Sequence, residues 1–113
     1  MSAPFTVPEI TPTELKARMD AGEAPALVDV RELYEAEIAD LPDRGQLRIP
    51  QGQLQQRLQE LDPSREYVLY CRSGNRSAWA TAMLRQSGYE HAVNLKGGVL
   101  AWREEVDPTL EAY

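Results

Sequence analysis

The chain has 113 residues, 42% hydrophobic and 27% charged, with a formal net charge of −6. That length supports one domain burying roughly 60–70% of its unfolded surface, and the acidic balance argues against nonspecific nucleic-acid binding, which needs a basic patch. No stretch approaches the roughly 20 apolar residues that span a bilayer, Met1 to Ile10 lacks a signal-peptide pattern, and a single cysteine permits no internal disulfide; together these point to a cytoplasmic protein with no membrane association.

Residues 1–10 hold two prolines and little periodicity, and read as a surface arm before a domain over residues 11–113. Thr11-Pro12-Thr13-Glu14 predicts a helix start, with Thr11 as N-cap, Pro12 at the first helical position and Glu14 placed to close a capping box. That helix should end near Gly22. Ala26 to Val30 is a short apolar run carrying one acid and followed by a base. It predicts a buried parallel strand with Asp29 and Arg31 at its carboxyl end. Asp29 has two readings, a cap for the helix that follows and a support for a site at that end. Glu32 to Ala39 predicts a short acidic helix. Leu54, Leu58 and Leu61 share one face, so Gln51 to Leu61 predicts an amphipathic helix over the sheet. Pro63-Ser64-Arg65 then turns the chain into a central strand, Tyr67 to Tyr70.

The only cysteine follows that strand, in Cys71-Arg72-Ser73-Gly74-Asn75-Arg76-Ser77. A helical pattern begins near Ser77, and Gly88 is placed to terminate it as a C′ residue. Strand, loop and helix start together make an anion cradle. Gly74 and Asn75 are the residues best able to adopt left-handed angles and turn successive amides inward. Those amides, the positive end of the helix and the guanidiniums of Arg72 and Arg76 would stabilise a thiolate over a thiol. A lone cysteine after an apolar strand is more often an inert buried hydrophobe. An inert one needs neither a glycine-bearing loop nor two arginines, and the strand-to-helix turn of a parallel sheet is where α/β proteins place ligand sites. Trp79 is expected to pack against a neighbour. Ala92 to Leu95 predicts the last strand, and Lys96-Gly97-Gly98 leads into a helix through Trp102 to about Glu105. The diglycine lacks a Walker pattern and is read as allowing close passage beside the loop. His91, the only histidine, falls at the amino end of a strand, away from the site. One cysteine and one histidine cannot close a zinc site, so neither metal nor cofactor is expected.

Three stretches together carry a family resemblance: the cysteine loop, Leu27-Val28-Asp29-Val30-Arg31, and Asn94-Leu95-Lys96-Gly97-Gly98-Val99-Leu100-Ala101-Trp102. The chain resembles single-domain rhodaneses from about Ile10 to Trp102. The resemblance implies an α/β fold with a central parallel sheet of about five strands and helices on both faces. It also implies that Cys71 carries a sulfane sulfur as a persulfide, held by the loop Arg72, Ser73, Gly74, Asn75, Arg76 and Ser77, with Asp29 and Arg31 supporting that loop. The donor would be thiosulfate or a persulfide-bearing protein, and the acceptor a small nucleophile, a thiol or a sulfur-carrier protein. From Asn94 onward the chain resembles rhodanese domains fused behind ubiquitin-activating-like adenylyltransferases, which load sulfur onto small carrier proteins. Between Ile38 and Pro50 it departs from the family, lacking the usual histidine-isoleucine-proline-glycine-alanine turn. Two alternatives stand beside the sulfurtransferase reading. One is a catalytically quiet docking module on the same scaffold. The other is a phosphatase or arsenate reductase, disfavoured because related phosphatases use a longer loop that admits a tetrahedral phosphate.

Overall fold

The computed structural model describes residues 6–23 and 25–113. The chain runs β1 (Glu9–Ile10), α1 (Pro12–Asp20), β2 (Ala26–Asp29), α2 (Glu35–Ile38), β3 (Leu47–Arg48), α3 (Gln51–Leu54), a 3-10 helix (Gln55–Glu60), β4 (Tyr67–Tyr70), α4 (Asn75–Gln86), β5 (Ala92–Leu95) and α5 (Gly98–Glu105). The five strands form one sheet in the order β1-β5-β4-β2-β3, and every pair is parallel. Parallel neighbours need crossovers, and the helices that supply them cover both faces.

Alternation along β4 explains where the faces go. Tyr67 and Leu69 join a cluster with Val28, Leu54, Ala80 and Leu84, beneath α3 and α4. Val68 and Tyr70 join Leu15, Leu27, Val99 and Trp102, beneath α1 and α5. Both faces of the strand are therefore apolar, which is why its sequence reads as a continuous run. Continuing the period of two past Tyr70 puts Cys71 on the α4 side, where it belongs to the first cluster.

The start of α1 follows the expected chemistry. Glu14 N–H donates to Thr11 Oγ1 at 3.1 Å, and Thr11 N–H donates to Glu14 Oε1 at 2.9 Å. Three expectations change. Glu9 and Ile10 pair with Asn94 and Leu95 as an edge strand, so these two residues of the expected arm belong to the sheet; Met1 to Phe5 lie outside the described residues. The amphipathic helix over Gln51 to Leu61 is one α-turn followed by a 3-10 stretch, broken at Arg57 (φ −114°). Leu54 and Leu61 are still buried, Leu54 at the end of the α-turn and Leu61 as the extended residue that follows the 3-10 stretch. The acidic helix is shorter than expected, Glu35–Ile38, preceded by a turn over Glu32 to Tyr34. Among the described residues no helix is long and apolar enough to cross a membrane.

Candidate active site around Cys71

β4 delivers Cys71 to the carboxyl edge of the sheet with 1% of its surface exposed. Gly74 follows at φ +99°, a left-handed conformation that reverses the chain so that α4 begins at Asn75. Two amide donors and one hydroxyl oxygen, whose proton goes to Asn94, then surround the sulfur. Gly74 N–H lies 3.1 Å from Sγ, Ser77 N–H 3.4 Å and Ser77 Oγ 3.3 Å. The Ser77 amide belongs to the first turn of α4, so the positive end of that helix faces the sulfur as well. Asn75 contributes no left-handed turn, since among the described residues only glycines have positive φ. One inversion suffices, and Asn75 is free to open the helix.

The two arginines do not sit as the sequence suggested. Arg76 makes a two-pronged bond to Glu35, Nη1 to Oε2 at 2.7 Å and Nη2 to Oε1 at 2.8 Å. Arg72 is exposed, donates from Nε to the main-chain oxygen of Tyr113, and has its guanidinium carbon 5.3 Å from the Tyr113 ring centre. The expected positive bowl is thus lined at contact distance by main-chain amides and a hydroxyl, with the guanidiniums held by other partners. Hydrogen bonds from Arg76 hold the Glu35 carboxyl down at about 2 against the opposing effect of burial, helped by the Glu32 amide and the Tyr113 hydroxyl. In return Glu35, and with less weight Cys71, keep Arg76 above the usual arginine range. Ser73 is exposed, and neither it nor Asn75 bonds to the sulfur.

Asp29 and Arg31 form a buried brace beneath the loop. Arg31 is fully enclosed, with Nε 2.9 Å from Asp29 Oδ1 and Nη2 3.0 Å from Asp29 Oδ2. It also reaches the Ala39 carbonyl at 2.8 Å, Asp40 at 3.0 Å and the Tyr113 hydroxyl at 2.7 Å. Arg48 closes the other side, bonding Asp29 at 2.7 Å and Asp40 at 2.6 Å. Burial works against the charge of Arg31, and its bonds to Asp29 and Tyr113 overcome that and raise it. Neither Asp29 nor Arg31 touches Cys71. Together they fix α2, and α2 carries the Glu35 that holds Arg76.

Four participants escaped the sequence reading: Glu35, Asn94, Tyr113 and the Asp40–Arg48 pair. Asn94 accepts from Ser77 Oγ at 2.5 Å and donates to the Gly74 carbonyl at 3.2 Å, locking both residues that reach the sulfur. Its signal was present, since alternation in β5 places Asn94 with the buried Ala92, where a polar side chain needs a partner. Glu35 stood among Glu32, Glu37 and Asp40 in a segment too short to reveal an inward face.

The diglycine acts as expected from its small size. Amides of Val99 and Leu100 donate to the carbonyls of Cys71 and Arg72 at 2.9 and 3.0 Å, so the start of α5 grips the loop from behind. A Cβ on Gly98 would lie 2.3 Å from the Cys71 oxygen. His91 is exposed at the amino end of β5, and Trp79 is 48% exposed. Among the described residues no cluster of histidine, cysteine and acidic side chains could hold a metal ion.

A family profile described as a rhodanese-like domain matches residues 11–105. The chain belongs to the rhodanese-like family. Among its relatives, a sulfurtransferase of Allochromatium vinosum is 40% identical over 85% of this chain and 88% of its own length. The probable adenylyltransferase/sulfurtransferase MoeZ of Mycobacterium tuberculosis is 40% identical over 92% of this chain, which spans only 26% of that larger protein. Solved structures agree with this rhodanese-like assignment. A rhodanese-like protein of Staphylococcus aureus covers 95% of this chain and 99% of its own at 30% identity and a TM-score of 0.79. The human single-domain sulfurtransferase TSTD1 covers 88% of this chain and 98% of its own at 30% identity and a TM-score of 0.73.

Proposed function

We propose that this rhodanese-like domain is a sulfurtransferase in which Cys71 carries sulfur between a donor and an acceptor. The Cys71 thiolate attacks the outer sulfur of a sulfane donor, the donor's S–S bond breaks, and its electron pair leaves with sulfite or a thiolate. An acceptor nucleophile then attacks the outer sulfur of the persulfide, and Cys71 departs as thiolate. The observation that carries this reading is the cradle, in which the Gly74 and Ser77 amides donate to a buried sulfur, with the Ser77 hydroxyl held beside it by Asn94. Donors fixed before reaction stabilise negative sulfur without reorganising. The amides of Ser73, Asn75 and Arg76 have no acceptor among the described residues, which leaves them for the outer sulfur. The reaction as written uses no cofactor. It requires a reducing compartment, such as cytoplasm, where a lone thiol stays free.

The relatives extend the reading to partners. MoeZ is named a probable adenylyltransferase/sulfurtransferase, and YrkF of Bacillus subtilis, 33% identical over 86% of this chain and 51% of its own, a putative sulfur carrier protein. A persulfide-bearing protein as donor and a sulfur-carrier protein as acceptor therefore stand beside thiosulfate and small thiols. Intact-mass measurement after incubation with thiosulfate, or with a cysteine desulfurase and cysteine, should show a gain of one sulfur atom that cyanide removes. Cys71→Ser should show none, and a Cys71→Ser protein that still gains the sulfur would sink the proposal.

A further inference from the structure

Both arginines of the loop are occupied by partners outside it, and those partners are linked to each other. Glu35 is 4% exposed and takes Arg76 with both carboxylate oxygens. Tyr113 donates its hydroxyl to Glu35 Oε1 at 3.0 Å, accepts from Arg31, and holds Arg72 through its main-chain oxygen and ring. Arg76 holds the Glu35 carboxyl well below the usual carboxylate range, so it is ionised at neutral pH. The charge of Arg76 is therefore largely cancelled before any ligand arrives. An anionic donor entering the cradle meets amide dipoles, a neutralised ion pair and a protein of net charge −6.

Resting on the sulfurtransferase reading, we propose that Glu35 determines donor specificity. By withholding Arg76, with Tyr113 holding Arg72 alongside, it disfavours a small dianion such as thiosulfate and favours a donor whose sulfane sulfur carries little net charge, as in an organic persulfide. Glu35 acts here through Arg76 as a positioning residue and touches no reacting atom. The amide cradle serves either donor equally, because it contacts the sulfur and not the remainder of the donor. Discrimination then lies in KM and leaves the transfer step unchanged.

The test compares sulfur transfer from thiosulfate and from glutathione persulfide, first in the unaltered protein and then in Glu35→Gln. The substitution keeps the shape and removes the competing charge. A unit charge regained a few ångströms from a dianion should lower KM for thiosulfate about tenfold, with kcat and the persulfide parameters moving less than about twofold. The double variant Glu35→Gln, Arg76→Gln guards against a local rearrangement. With neither charge present it should return KM for thiosulfate to within about twofold of the unaltered protein's. A freely available Arg76 would instead make its loss raise that KM at least about tenfold. An unchanged or raised thiosulfate KM in Glu35→Gln, or an equal change for both donors, overturns the specificity role and leaves the sulfurtransferase reading standing. Absence of transfer from both donors and from a cysteine desulfurase overturns that reading and this inference together.

Discussion

Replacing Gly98 by alanine tests whether the start of α5 sets the shape of the sulfur cradle. Gly98 has φ +60°, so any side chain there costs about 1–2 kcal/mol in left-handed strain. The added Cβ would also lie 2.3 Å from the Cys71 oxygen and 2.7 Å from the Arg72 carbonyl carbon and oxygen. Relief must come from main chain, because every one of those atoms is backbone, and the required movement is about 1 Å before contacts reach the ordinary 3.4 Å. Overpacking of that kind costs about 1–3 kcal/mol, for a total near 2–5 kcal/mol. The movement is imposed on the two peptides that begin the loop, and the Val99 and Leu100 amides that grip them are displaced with it. A 1 Å error at a reacting centre lowers transfer on the order of a hundredfold. Gly22→Ala is the matched control. It too has positive φ (+81°), but nothing lies within 4 Å of its added Cβ, so only the backbone strain applies. Urea denaturation and the rate of Cys71 persulfide formation, measured on both variants, separate the contributions. If Gly98→Ala loses no more stability or rate than Gly22→Ala, the grip of α5 on the loop does not shape the cradle.

The brace and the ion pair give two further predictions. Asp29→Asn leaves the enclosed Arg31 with Asp40 as its remaining carboxylate contact, so stability should fall by about 3 kcal/mol in chemical denaturation. Persulfide formation by the folded fraction should stay within about tenfold, since Asp29 does not reach the sulfur; loss of that chemistry at unchanged stability would show a direct role. Glu35 supplies the pH dependence. Its carboxyl is held at about 2 in the folded protein against an ordinary 4.5, so its contribution is complete above pH 4.5 and is lost as pH falls from there toward 2. Between pH 7 and pH 3 the unaltered protein should therefore lose on the order of 2 kcal/mol more stability than Glu35→Gln, read from parallel urea titrations. Equal losses would mean that the Arg76 bond adds nothing to the fold.

What the sequence disclosed and what it concealed follow from the range of the interactions. The capping box at Thr11, the apolar runs of β2 and β4, and the glycine inversion at Gly74 are written within a few residues, where local periodicity and turn chemistry act. So is the position of Cys71 at the end of a buried strand. β1 escaped because two residues hold no period, and it exists only through pairing with Asn94 and Leu95. The kink at Arg57 escaped because leucines at 54, 58 and 61 carry the four-and-three spacing of an α-helix, and nothing local marks the break. The site divides along the same line. Its amide donors come from the loop itself and were legible, whereas Glu35, Asn94 and Tyr113 bond to the loop across 41, 17 and 41 residues and depend on the finished sheet.

The proposed chemistry asks an acidic protein to hold a negative sulfur, and the same separation bears on it. A chain of net charge −6 repels small anions at long range, but salt screens such a field within about 10 Å. Main-chain N–H groups 3.1 and 3.4 Å from Sγ act inside that distance and carry no net charge that an acidic neighbour could neutralise. Guanidiniums can be neutralised, and here they are: Arg76 by Glu35, and Arg31 by Asp29 and Asp40. Building the cradle from amides thus leaves the arginines free to hold the architecture. Glu35 and Asp29 can then lie beneath the loop without turning the sulfur's immediate surroundings negative. The same arrangement explains why counting arginines in the loop overstates the site's attraction for anions. A side-chain charge matters to a ligand only after its own partners are accounted for, and those partners lie elsewhere in the chain.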